Sequence, residues 1–197
     1  DKGIFKEKAI KEKLLAGSYP ARSPSTNIAD LKAQIAACKK GEIELLKIVN
    51  KYGLETVFRF QELVCQNAEN AVRESIKTIK STEITYQMDN DLSGAVREIK
   101  ISLKPNTEDS SIEVDFSGTT MQLESNYNAP LPVTRAAVLY AFRILTGGNI
   151  PMNSGIMKPI KIKIPKSSML SPEYPAAVIA GNVETCLLYT SDAADER

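Results

Sequence analysis

The chain contains no histidine. Ser–His–Asp and Cys–His nucleophile systems therefore cannot be assembled within it. Imidazole-held zinc is excluded as well, which leaves only carboxylate-type metal sites. Cysteine is scarce: Cys38, Cys65 and Cys186 lie far apart and form no CxxC pair. Neither a thiolate zinc site nor a disulfide framework is indicated. Cys38 and Cys65 fall among apolar helical positions and are expected to be buried small hydrophobes. Charge of one sign is also lacking, since the net charge is +1. No basic field advertises a nucleic acid or an anionic membrane. No apolar run approaches the ~18 residues of a membrane span, and no signal-peptide pattern is present, so a cytoplasmic location is expected.

What remains is ordinary globular material. The 197 residues are 43% hydrophobic and 25% charged, enough for one domain with a sizeable core or two small ones. Residues 1–27 read as a charged helix (IFKEKAIKEKLLA) and a connector in which Pro20 and Pro24 oppose helix. Thr26 or Asn27 then offers an N-cap. A long helix follows, with Ile28, Leu31, Ile35 and Cys38 at 3-4 spacing and Leu45, Leu46 and Val49 extending the stripe. Gly41 weakens its middle, and Gly53 suits its C-cap. A second helix runs from Leu54 to about Ile79, with Val57, Phe60, Val64, Ala68, Ala71 and Val72 on one face. The short link predicts an antiparallel helical hairpin over 28–80.

After Ser81 the period changes to two. Ile84, Tyr86 and Met88, then Ile99, Ile101 and Leu103, then Ile112, Val114 and Phe116 predict antiparallel strands with one buried face. A helix over Val133–Leu145 comes next, with Pro132 near its first turn. KPIKIKIP then reads as a half-buried strand and PAAVIAG as a last, fully buried one. The expected architecture is α+β: a long antiparallel helical hairpin followed by a mainly antiparallel sheet with one or more packed helices, 81–186 being part of the same larger domain as the hairpin.

Four places offer chemistry. DFSGTT (Asp115–Thr120) leaves a strand into a glycine turn that could meet an anion. It lacks the lysine of a phosphate-binding loop, and the pattern favours a turn with local Ser117 and Thr119 bonds. Asn126, Asn128 and Arg135 flank a helix start. Arg135 either grips a carboxylate or pairs with a nearby acid, and Asn128 either faces a ligand or orders its loop. GNVET supplies Asn182, Glu184 and Thr185, either as a substrate-orienting amide and carboxylate or as an N-cap cluster. Asp89, Asn90 and Asp91 lack the spacing of a calcium loop and read as a solvated turn.

The ordered set of NIADLKAQIAACKKG, LLKIVNKYGLETV, DFSGT, NAPLPVTRAAVLYAFR, IPMNSG and AAVIAGNVET resembles the hydantoinase B/oxoprolinase family, across most of residues 20–185. That family includes N-methylhydantoinase B, 5-oxoprolinase and the large subunits of acetone- and acetophenone-type carboxylases. The resemblance implies a subunit working with a hydantoinase A-type partner that binds ATP, with a lactam, hydantoin or ketone activated by phosphorylation. An ATP-dependent hydrolase opening a cyclic amide is the leading expectation. A carboxylase subunit and a non-catalytic module that docks a partner through its helices are the alternatives. Asn128 within NAP, Arg135 within VTR, and Asn182 and Glu184 within GNVET match the family pattern and are the expected substrate-binding residues. The divalent-metal ligands of such subunits, His and Asp, belong to an upstream segment and have no counterpart here. The chain starts at Asp1 rather than methionine. Its last eleven residues, LLYTSDAADER (187–197), read as translated sequencing-adapter sequence outside the fold. The expectation is an internal fragment without activity of its own.

Overall fold

The computed structural model describes residues 3–88, 97–147 and 150–181. The chain divides into two compact units, Asp1–Phe60 and Gln61–Arg197. The predicted turn at Asp89–Asp91 lies outside the described residues, as do Asn182, Glu184 and the 187–197 tail.

In the first unit, α1 (Glu7–Leu15) packs on the start of α2 (Pro24–Tyr52). Lys32 of α2 reaches Glu7 at 2.6 Å and lies over the Phe5 ring at 5.8 Å. Pro24 does not oppose α2 but opens it. Its fixed φ and missing N–H suit the first helical turn, where that donor would have no partner, so the helix starts ahead of the expected Thr26 and Asn27 caps. Gly41 is accommodated in mid-helix, and Gly53 ends α2 at φ 84°. The apolar stripe is covered only at its beginning, where Ile28 is buried, while Ile35, Leu45, Leu46 and Ile48 are exposed. Cys38 is exposed as well, and Cys65 on α3 is only half-buried, contrary to the buried role expected of both. Helical spacing finds the stripe but not what covers it.

α3 (Leu54–Ile76) follows Gly53 directly, giving the two consecutive long helices the sequence predicts. Its later turns belong to the second unit, where Ala68, Val72 and Ile76 enter the core. The i, i+4, i+8 spacing puts all three on one face. The sheet has the order β1 (Thr82–Gln87), β2 (Glu98–Asn106), β3 (Ser111–Asp115), β4 (Ile160–Lys163). β1, β2 and β3 are successive antiparallel neighbours, with Ile84 opposite Ile101 and Leu103 opposite Val114. β4 lies parallel to β3, with Ile112 opposite Ile160. A parallel pair needs a long crossover, and this one carries α4 (Leu131–Leu145) and a 3-10 turn at Ser154–Met157. Thr134, Val138 and Phe142 form the buried face of α4. Val138 and Phe142 join Ile112, Val114, Ile156, Met169 and Leu170 in one core.

PAAVIAG is not a strand. Residues 176–178 are irregular and 179–181 begin a helical turn. The segment spends its backbone groups on a neighbouring loop instead of a sheet ladder. Ala180 N–H donates to Asn126 O at 3.0 Å, and Ala177 O accepts from the Asn128 side chain.

Candidate functional site

The DFSGTT turn directs its polar groups inward. Asp115 Oδ1 accepts the Ser117 N–H at 2.8 Å, Thr119 N–H donates to Phe116 O, and Thr120 N–H donates to Glu98 O. The Thr119 and Thr120 hydroxyls accept the N–H groups of Lys100 and Glu98, continuing the edge of β2 by side chain where the ladder ends. Gly118 takes φ 87°, a conformation glycine adopts freely, and brings the turn against the Lys100 stem. Amides committed in this way are not offered to a phosphate. Lys163 Nζ closes on Asp115 Oδ2 at 2.9 Å. Burial works to raise the Asp115 pKa, but the Ser117 and Lys163 hydrogen bonds outweigh it and hold the carboxyl at about 2.

The densest polar junction lies beyond that turn. Asn128 is fully buried, and its amide is saturated. Oδ1 accepts the Leu123 N–H at 2.8 Å, and Nδ2 faces the carbonyls of Leu123, Ser125 and Ala177, each at 2.9 Å. One side chain thus shapes its own loop and fastens it to a segment 49 positions on. The backbone repeats the connection through Ala180 N–H to Asn126 O, and Ala129 N–H ties the loop to Met169 O as well. Gly181 closes the junction, because a Cβ there would stand 2.4 Å from Asn128 O. The NAP loop and Gly181, the first residue of GNVET, are therefore one unit.

Two further side chains complete this corner. Arg97, just before β2, is fully buried with its guanidinium carbon 4.4 Å from the centre of the Tyr127 ring. Tyr127, Ala129 and Gly181 also line an apolar cavity of about 390 Å³ between the sheet and α4. Sequence reasoning missed Arg97 and Tyr127. An arginine ahead of a strand carries no periodic signal, and a tyrosine between two asparagines reads as loop.

Arg135 lies elsewhere. It is exposed on α4 and lines a second, shallower cavity of about 540 Å³ with Pro132, Ala136, Leu139, Met157, Ile160 and Ile162. Its neighbour Thr134 points into the core and donates to Leu170 O at 2.9 Å. Successive helical residues lie about 100° apart, so Thr134 anchors the helix while Arg135 faces outward. Among the described residues no ion pair holds Arg135, and no cluster of three or more acids and cysteines could hold a metal. With no histidine in the chain, the described residues do not fit the divalent metal that the resemblance implies upstream.

The arrangement has counterparts among solved proteins. It superposes on an ATP-dependent caprolactamase from Pseudomonas jessenii with a TM-score of 0.67 at 18% identity, over 90% of this chain and 30% of that one. A nucleotide-free acetone carboxylase gives a TM-score of 0.61 at 14% identity, over 81% and 23%. At such identities the shared property is the fold. The sequence goes further, because the profile of the hydantoinase B/oxoprolinase family matches residues 1–192. The chain belongs to that family. It is 34% identical to 5-oxoprolinase 1 of Arabidopsis thaliana and 35% identical to 5-oxoprolinase of Saccharomyces cerevisiae, over 94% and 93% of its own length. It spans 16% and 15% of those two proteins. A putative D-/L-hydantoinase component from Pseudomonas sp. is 33% identical, over 81% of this chain and 29% of that protein. No described helix is long and apolar enough to cross a membrane.

Proposed function

We propose that this chain is a section of the B-type component of an ATP-dependent amide hydrolase that opens a cyclic amide, of the hydantoinase or 5-oxoprolinase kind. The observation that carries the reading is the sequence relationship. Proteins named 5-oxoprolinase match at 34–35% identity across more than nine-tenths of the chain, whereas the likeness to acetone carboxylase rests on fold, and fold alone does not fix a reaction.

In this reading Asn182 and Glu184 contact the substrate, the amide orienting the ring and the carboxylate binding or carrying a proton. Asn128 serves from beneath, since its own amide is engaged on four backbone groups. Arg135, facing the second cavity, offers a guanidinium to an anionic group of substrate or partner. ATP is bound by a hydantoinase A-type partner, which supplies the activating phosphoryl group. The section by itself does not turn over.

The test is an assay of the complete subunit with its ATP-binding partner and 5-oxoproline as probe. Ring opening that requires ATP and ignores bicarbonate supports the reading. Bicarbonate-dependent consumption of a ketone instead identifies the carboxylase alternative. Full turnover after both N182A and E184Q leaves only the docking-module reading, to which the exposed α2 stripe of Ile35, Leu45 and Ile48 would contribute.

A further inference from the structure

We infer that the open edge of β4 receives a further strand of the same polypeptide, from outside residues 1–197, whose side chains alternate apolar and acidic. The inference rests on the reading above only in that residues 1–197 are a section of a longer subunit.

The sheet order puts β4 at one edge, and the register says which of its backbone groups are spent. Ile112 lies opposite Ile160, and Val114 opposite Ile162. In a parallel ladder each such residue bonds to the two neighbours of the residue it faces. Ile112 N–H accordingly donates to Pro159 O at 2.9 Å, and Phe116 N–H to Lys163 O at 2.8 Å. Lys161 and Lys163 thus turn their backbone groups to β3, while Ile160 and Ile162 turn theirs to the open side. Among the described residues no strand pairs with that side.

Both faces of β4 specify what fits beside it. On the inner face Ile160 and Ile162 wall the 540 Å³ cavity together with Leu139, Met157 and Arg135. That surface takes apolar side chains, with one carboxylate for the exposed Arg135 guanidinium. On the outer face charge alternates from strand to strand. Lys104 lies opposite Glu113, which lies opposite Lys161, and Asp115 lies opposite Lys163 with an ion pair of 2.9 Å. Unlike charges attract across a ladder and like charges repel, so acids suit the positions beside the exposed Lys161 and Lys163.

The same lysines repel a second β4, a familiar protection of sheet edges. β1 of a second copy would leave an edge free at each end and grow without closing. A separate peptide would find only the four backbone groups of Ile160 and Ile162, set against the freedom it loses on binding. A strand already tethered to the chain avoids most of that loss, and the related 5-oxoprolinases are far longer than this chain.

The test is residue-resolved hydrogen exchange on the complete subunit without its partner, with the Lys161 and Lys163 amides as internal references. A paired edge predicts that the Ile162 amide exchanges within about tenfold of those two, after correction for intrinsic rates. Faster exchange at Ile162 overturns the proposal. Carbodiimide coupling in an equilibrated mixture of heavy- and light-isotope subunits then identifies the occupant. The expected product joins Lys161 or Lys163 to an Asp or Glu outside residues 1–197, within one subunit. Coupling between heavy and light subunits, or coupling that reaches no acid beyond Glu113 and Asp115, overturns the proposal. A complete subunit no longer than residues 1–197 removes the section reading and this inference together. A longer subunit with a fast-exchanging Ile162 removes this inference alone.

Discussion

The carbonyl oxygen of Asn128 lies 2.4 Å from where a β-carbon on Gly181 would stand. No real Cβ contact is that short, and the opposing atom is backbone that cannot rotate away. Gly181→Ala must therefore separate the loop from the segment that continues into Asn182 and Glu184. Overpacking at such a contact costs about 1–3 kcal/mol. The expected outcome is a complete subunit that still folds but turns over at least ~10-fold more slowly, read as kcat beside the urea midpoint.

Asn128 is the more severe position. Alanine there strands four backbone groups, and aspartate places a carboxylate against three carbonyl oxygens. Leaving buried groups unsatisfied costs about 1–3 kcal/mol each where water cannot reach them. Asn128→Ala is expected to lose about 3 kcal/mol, and Asn128→Asp at least as much, both read by denaturant melts.

A second close approach involves Gly155 and Cys65. A Cβ on Gly155 would lie 1.9 Å from Cys65 O on α3, and the Asn153 side chain secures the same contact from Val64 O and Gly155 N. Gly155→Ala is expected to cost about 2–3 kcal/mol by overpacking. Gly41 supplies the contrast, being helical with nothing within 4 Å of its absent Cβ. Gly41→Ala should stabilise by about 0.5–1 kcal/mol. Equal effects of the two substitutions would contradict the packing described.

Asp115 gives the fold an acid-range signature. Its folded pKa of about 2 lies below the ordinary value of 3.8, so the unfolded chain takes up a proton first as pH falls. The stability it contributes is fully present above about pH 4 and disappears as pH drops through about 2. Lys163 is raised by the same pair, chiefly through the hydrogen bond to Asp115, so its share persists below the unfolded lysine range and is lost as pH rises through the folded value. Asp115→Asn should flatten the fall in melting temperature between pH 4 and 2 relative to wild type. An unchanged slope would show the pair to be inconsequential.

Much of this fold could be read from periodicity. The 3-4 stripe of α2, the core face Ala68 and Val72, and the alternation around Ile84, Ile101 and Ile112 are local patterns that backbone geometry imposes directly. PAAVIAG defeated the same logic. A short apolar run looks alike whether its N–H groups pair with a strand or with a loop, and the Asn128 and Asn126 partners are some fifty residues away. Cys38 shows the complementary failure, since burial depends on a covering surface that helical spacing cannot supply. At the candidate site, Asn128 stood out by its place in NAP, yet its fourfold engagement and the Arg97–Tyr127 stack are tertiary facts with no sequence period behind them.

The most direct test of the account is Glu184→Gln in the complete subunit, assembled with the proposed ATP-binding partner and assayed for ATP-dependent ring opening of a cyclic amide. The account predicts a kcat reduced on the order of 100-fold, the usual weight of a positioned proton-transfer group, with an unchanged melting temperature. Wild-type kcat in a folded Glu184→Gln enzyme would contradict it.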